Sequence, residues 1–172
     1  MARTDETVRS GSQSKLPRIL FWFFAAALVF RVITVVAGRE KKEDAGAGLV
    51  TWRPQGTVAA AARSEQKPIL YDFTAAWCQP CHLLDTTGWG DTAVASLVNG
   101  SFLPARVVDR EREDGKNPAA IAELQRLFSV RAFPTLIVAD ADGRVFGRFE
   151  GYGGKERLVR FLQDSLVKAR AR

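Results

Sequence analysis

The residues able to do redox or metal chemistry are concentrated in one hexapeptide. WCQPCH, residues 77–82, holds both cysteines and the sole histidine of the 172-residue chain. Two thiols separated by two residues can exchange with a disulfide through thiolate attack. The same string, Cys78-x-x-Cys81-His82, spells a c-type haem attachment motif with His82 as axial ligand. It also supplies three of the four ligands of a tetrahedral zinc site. A structural staple is a poor use of the pair, because a bond closing so short a loop constrains the unfolded chain very little. The surroundings of the hexapeptide have to decide among these readings.

The elements that must position it run from about residue 49. Residues 57–66 are Ala-rich and read as a helix stopped by Lys67-Pro68. Residues 69–74, ILYDFT, form a short apolar run of strand formers directly before the hexapeptide. Residues 79–85 are helical in pattern, Gly88 and Gly90 interrupt them, and Asp91 caps a second piece running to Val98. Residues 102–108 read as a strand. Residues 118–128 carry Ile121, Leu124, Leu127 and Phe128 at helical spacing, predicted to share one face. Residues 135–139 form a strand, Asp142-Gly143 signals a hairpin turn, and residues 145–150 are its partner. Residues 155–168 form a last helix with Leu158, Phe161, Leu162, Ser165 and Leu166 on one face. Alternating helices and strands call for a parallel sheet covered by helices, and the hairpin adds antiparallel pairing at its edge. The expected class is mixed α/β.

Ahead of this lies a different text. Residues 1–18 are polar and carry Arg3, Arg9, Lys15 and Arg18. Residues 19–38, ILFWFFAAALVFRVITVVAG, would span about 30 Å as a helix, the thickness of a bilayer's hydrocarbon. Arg31 costs roughly 3 kcal/mol at the centre of such a span, while about twelve Leu, Ile, Phe and Val residues together favour insertion by roughly 5 kcal/mol. The segment is therefore expected to insert as a single anchor. A signal peptide cleaved after residues 35–37 or 45–47 is the alternative. Residues 39–50 read as a charged, then small-residue linker. The positive flank of 1–18 favours a cytoplasmic tail and an exported domain over 51–172. The bilayer itself is then a partner through 19–38, and the cysteines lie in a compartment where disulfide chemistry operates, the periplasm in a bacterium. The formal charge of +6 is split between the two parts, with acids interleaved among the bases and no basic patch alternating with aromatics. That pattern excludes a nucleic-acid surface.

The order of elements and three motifs resemble the thioredoxin fold over residues 52–170. ILYDFTAAWCQPC places a strand immediately before Trp-Cys-x-x-Cys, Phe133-Pro134-Thr135 opens a later strand, and Asp142-Gly143 turns into the last hairpin. The spacing is most similar to the C-terminal thioredoxin-like domain of transmembrane thiol:disulfide interchange proteins. KPILYDFTAAWC, GWGDTAVASLV, the loop RERED and AELQRLFSVRAFPT carry that likeness. The multi-span electron-transfer domain of those proteins has no counterpart here, so the resemblance implies a separate membrane electron donor. It also implies a thiol–disulfide oxidoreductase, without a cofactor or metal, acting on cysteines or disulfides of proteins.

Cys78, at the start of a helix, meets unpaired amides and the positive end of the helix dipole, which favours its thiolate. It is the expected attacker, and Cys81, one turn on, resolves the mixed disulfide. Pro80 lies in the first turn, where its missing amide costs little. The resemblance makes Asp72 a buried acid that takes the proton of Cys81, with burial raising its pKa. It makes Pro134 a cis-proline, and Trp77, Pro80, Phe133, Pro134 and Thr135 the docking surface for an extended substrate. The Gln79-Pro80 dipeptide is similar to that of reducing members. A lysine found near the acid in many members is replaced at Ala105. Haem fits less well, since Met1 and His82 are the sole methionine and histidine and the Pro134-Thr135 context goes unexplained. Zinc lacks a fourth ligand. A binding or chaperone module with little turnover is the remaining alternative, and failure to reduce insulin would mark it.

Overall fold

The computed structural model describes residues 48–171. The expected tail 1–18, anchor 19–38 and most of the linker 39–50 lie outside the described residues. Among the described residues no helix is long and apolar enough to cross a membrane.

The chain runs α1 (Gln55–Glu65), β1 (Ile69–Ala75), α2 (Gln79–Leu84) with a π-helical continuation (Asp85–Trp89), and α3 (Thr92–Ser101). Then come β2 (Leu103–Asp109), α4 (Glu111–Asp114), α5 (Ala119–Leu127), β3 (Thr135–Ala139), β4 (Val145–Glu150) and α6 (Lys155–Arg170). The four strands form one sheet in the order β2-β1-β3-β4. β1 pairs with β2 in parallel and with β3 antiparallel. The alternating part is therefore not wholly parallel, because α5 and the loop after it return the chain into β3 in the opposite direction. β4 then pairs antiparallel with β3.

All seven residues of β1 are buried, as expected of a central strand covered on both faces. Alternation along the strand divides the core. Ile69, Tyr71 and Phe73 pack with Val58, Leu103, Val107, Ile121 and Phe128. Leu70 faces the other way, among Trp89, Val98, Phe102, Leu158 and Leu162. Asp72 shares the parity of Leu70, so the strand aims its carboxylate toward the side where Trp89 sits.

Three local expectations change. Gly88 does not end the helix. It lies within the π-helical stretch, where a Cβ would come within 2.7 Å of Leu84 and 3.0 Å of Leu158, so it is there for close packing. The hydroxyls of Thr86 and Thr87 donate to the carbonyls of His82 and Leu83. Leu127 is 58% exposed, because six residues after Ile121 a helix has turned well away from the buried face. The RERED segment is one helical turn rather than a loop. The other boundaries hold to within two residues, except that α3 runs three residues past Val98, and Asp91 caps α3 by accepting from the amides of Ala93 and Val94.

Candidate active site

β1 delivers the chain directly to the two cysteines. The Cys78 amide donates to the Ala75 carbonyl at 3.1 Å, and the Cys78 carbonyl accepts from the amides of Cys81 (3.0 Å) and His82 (3.3 Å). Cys78 is thus the N-cap of α2, in extended conformation. Pro80 occupies the first turn, where an amide has no intrahelical partner to lose. One turn of helix brings the Cα atoms of Cys78 and Cys81 to 5.3 Å, and their sulfurs are joined as a disulfide. Both residues are nearly covered, at 3% and 2% exposure.

The cover comes from a distant part of the chain. The Phe133-Pro134 peptide bond is cis, and Phe133 packs against Ala75, Cys78 and Cys81. Trp77, 40% exposed, meets Phe133 edge to face with ring centroids 5.8 Å apart. The guanidinium of Arg112 lies 3.6 Å from the centre of the Trp77 ring. Thr135 does not face outward. It is fully buried, and its hydroxyl donates to the Ala132 carbonyl at 2.7 Å, shaping the turn into β3. His82 is exposed, and its Nε2 lies 2.8 Å from the Ala76 carbonyl. It sits on the helix surface close to the cysteines.

Beneath the disulfide-bearing helix lies a buried polar cluster of which the sequence reading found one member. Asp72 is 1% exposed. Its Oδ2 accepts from Trp89 Nε1 at 3.0 Å and from Arg106 Nε and Nη2 at 3.3 and 3.1 Å. Its Oδ1 has no partner. Arg106 also pairs with Asp85 and stacks over Trp52 at 4.5 Å. Burial is the largest influence on Asp72 and raises its pKa from 3.8 to about 6. The Arg106 charge and the hydrogen bonds from Trp89 and Arg106 oppose that rise, while Asp85 adds to it. A carboxyl with such a value can both accept and release a proton near neutrality.

The cation beside Asp72 corrects the expectation drawn from Ala105. Ala105 faces the opposite side of the sheet, among Ile69 and Phe73, whereas Arg106 stands directly across from Asp72 in the parallel register. An acid and a base at the fourth position of two consecutive apolar strands, ILYDFTA and LPARVVD, were the available signal.

A folded-state pKa above the unfolded value favours the native state at low pH, and that advantage is lost as pH rises through the folded value. Two pKa units correspond to about 3 kcal/mol. Asp72→Asn, which does not titrate, should therefore gain about 3 kcal/mol relative to the parent between pH 3.5 and 7.5. Urea unfolding of both oxidised proteins across that range measures it. A pH-independent difference would show that the carboxyl is not shifted.

A mixed sheet clothed by helices, with a CxxC disulfide at a strand-to-helix junction opposite a cis-proline, defines a thioredoxin-fold protein. The family model for the thioredoxin-like domain matches residues 56–166, and the chain belongs to that family. Over 100 residues it is 32% identical to thioredoxin from Mycolicibacterium smegmatis, covering 58% of this chain and 80% of that protein. Over 123 residues it is 26% identical to DnaJ homolog subfamily C member 10 from Mus musculus. That match covers 72% of this chain but spans only 13% of the mouse protein. Among solved structures, DsbH oxidoreductase superposes with a TM-score of 0.61 at 19% identity, covering 74% of this chain and 91% of that one. The C-terminal domain of Neisseria meningitidis DsbD in its oxidised form gives 0.52 at 18% identity, covering 64% and 91%. These two share the fold. The family and the disulfide pair together support thiol–disulfide oxidoreductase activity in general.

Proposed function

We propose that the protein reduces, or relays electrons to, disulfides of exported proteins through Cys78 and Cys81. In the reduced form the Cys78 thiolate attacks one sulfur of a substrate disulfide. The substrate's S–S bond breaks, its other sulfur leaves as a thiolate, and a mixed disulfide to Cys78 forms. Cys81 then gives its proton to Asp72 and attacks the Cys78 sulfur. The Cys78–Cys81 bond closes and the second substrate sulfur is released. Two electrons have passed to the substrate, and an external dithiol must return them.

The observation that carries this reading is the disulfide itself, set at a helix N-terminus directly after the strand that carries a buried acid with a pKa of about 6. The Gln79-Pro80 dipeptide supports the reducing direction through its likeness to reducing members. The apolar segment 19–38 supports a membrane tether with the active site on the exported side, and a separate membrane protein as electron donor.

The reduction potential of the full chain, measured in glutathione buffers with thiol alkylation as readout, tests the direction. A value near −270 mV, roughly that of thioredoxin, is expected. A value near about −120 mV would make the protein a donor of disulfides and overturn it.

A further inference from the structure

Beside the covered disulfide lies a groove of about 490 Å³, walled by Trp77 and Phe133 and rimmed by Arg112, Arg131, Asp109 and Glu111. Its charges are unequally available. Asp109 is buried, and its carboxylate already accepts from Asn117, Gln125 and the Glu111 amide. Arg112 and Arg131 are exposed, and neither is paired with an acid among the described residues. Arg112 is nevertheless held in place, because its guanidinium carbon sits over the Trp77 ring, 3.6 Å from its centre. Stacking uses the face of the guanidinium and leaves its N–H donors free in the plane, a fork shaped for a carboxylate. Such an ordered donor loses little freedom on pairing. It also sits on the tryptophan that touches Phe133, the residue packed on the disulfide.

We propose that this groove selects substrate segments carrying a carboxylate side chain within a residue or two of the reactive cysteine, with Arg112 and Arg131 as its receptors. The inference rests on the thiol–disulfide exchange assigned to the site above and names the substrate class for it. Glu111 stands on the same wall and would attract a basic side chain, so both signs have to be compared.

The test uses the reduced full chain and short peptides whose single cysteine carries a thiopyridyl group, flanked by Glu, Gln or Lys. The Cys78 thiolate attacks the peptide sulfur, the S–S bond breaks, and thiopyridone leaves and is followed by its absorbance. Cys81 then displaces the peptide thiolate. Each rate is divided by that with uncharged dipyridyl disulfide, which corrects for thiol reactivity and folding. The Glu peptide should react about fivefold faster than the Gln peptide, the size of an exposed ion pair. That ratio should fall to one in about 1 M salt and in an Arg112→Gln/Arg131→Gln double variant. Arg112→Glu should turn the preference toward the Lys peptide. Equal rates with Glu and Gln peptides in the parent chain, or a Glu advantage that survives in the double variant, would overturn the proposal. No reaction with any probe, dipyridyl disulfide included, would overturn the exchange reading along with it.

Discussion

Replacing Arg106 with methionine should destabilise the oxidised chain by about 3–5 kcal/mol at pH 7.5, the usual result of stranding one member of a buried ion pair. The guanidinium is 5% exposed and is the sole cation contacting Asp72 among the described residues. Without it the buried carboxylate keeps only the Trp89 indole as a donor, and its pKa must climb further above the ordinary carboxylate range. The loss should therefore shrink at pH 4.5, where Asp72 is protonated in parent and variant alike and a neutral carboxyl needs no cation. Adding Asp72→Asn to the variant should recover most of the stability at pH 7.5. Urea unfolding at the two pH values separates the causes. Equal losses at both would mean that packing of Arg106 on Trp52 or its pair with Asp85, not the charge on Asp72, is what the site needs.

Cys81→Ser should accumulate a mixed disulfide on Cys78 while turnover falls by about a thousandfold or more. Cys78→Ser should lose turnover as completely and trap nothing. Exposure does not choose between the two sulfurs, since both residues are covered to nearly the same degree. Position on the helix does. Cys78 is the N-cap, where the partial positive charge of the helix end is strongest, and Cys81 lies one turn inside. Mass spectrometry of each variant after exposure to a disulfide substrate counts the adducts. Adducts on Cys81 in the Cys78→Ser protein, formed as fast as those on Cys78, would reverse the order of attack.

The parts of this site written in local chemistry were legible in the sequence. The run before Trp77 could only be a strand, and the Asp142-Gly143 turn appears with Gly143 at φ 86°. Asp72 was conspicuous as an acid in an apolar strand. Arg106 was not, because an arginine in a strand reads by default as facing solvent. Its role is set by the register of β1 on β2, a tertiary fact that alternation within one strand does not contain. Arg112 escaped notice for a similar reason. Within RERED it is one charge among five, and only the fold lays it on Trp77. Leu127 shows the reverse error: steps of three place it on one face with Ile121 and Leu124, but two such steps add up to an angle around the helix that carries it outward.

The wide turn at Asp85–Trp89 also bears on how such sites should be compared across chains. Each residue of an α-helix adds about 100° of rotation. Were these five residues wound as ordinary α-helix, the Trp89 indole would point roughly that far from Asp72. The π-helical winding absorbs one residue's worth of rotation and restores the aim. A chain with one residue fewer between Leu84 and the tryptophan could reach the same acid with a regular helix. The counted distance from the cysteines to this indole is thus free to drift by one, while its bearing on the carboxylate is not. An alignment that scores the spacing would separate two sites that the geometry makes equivalent.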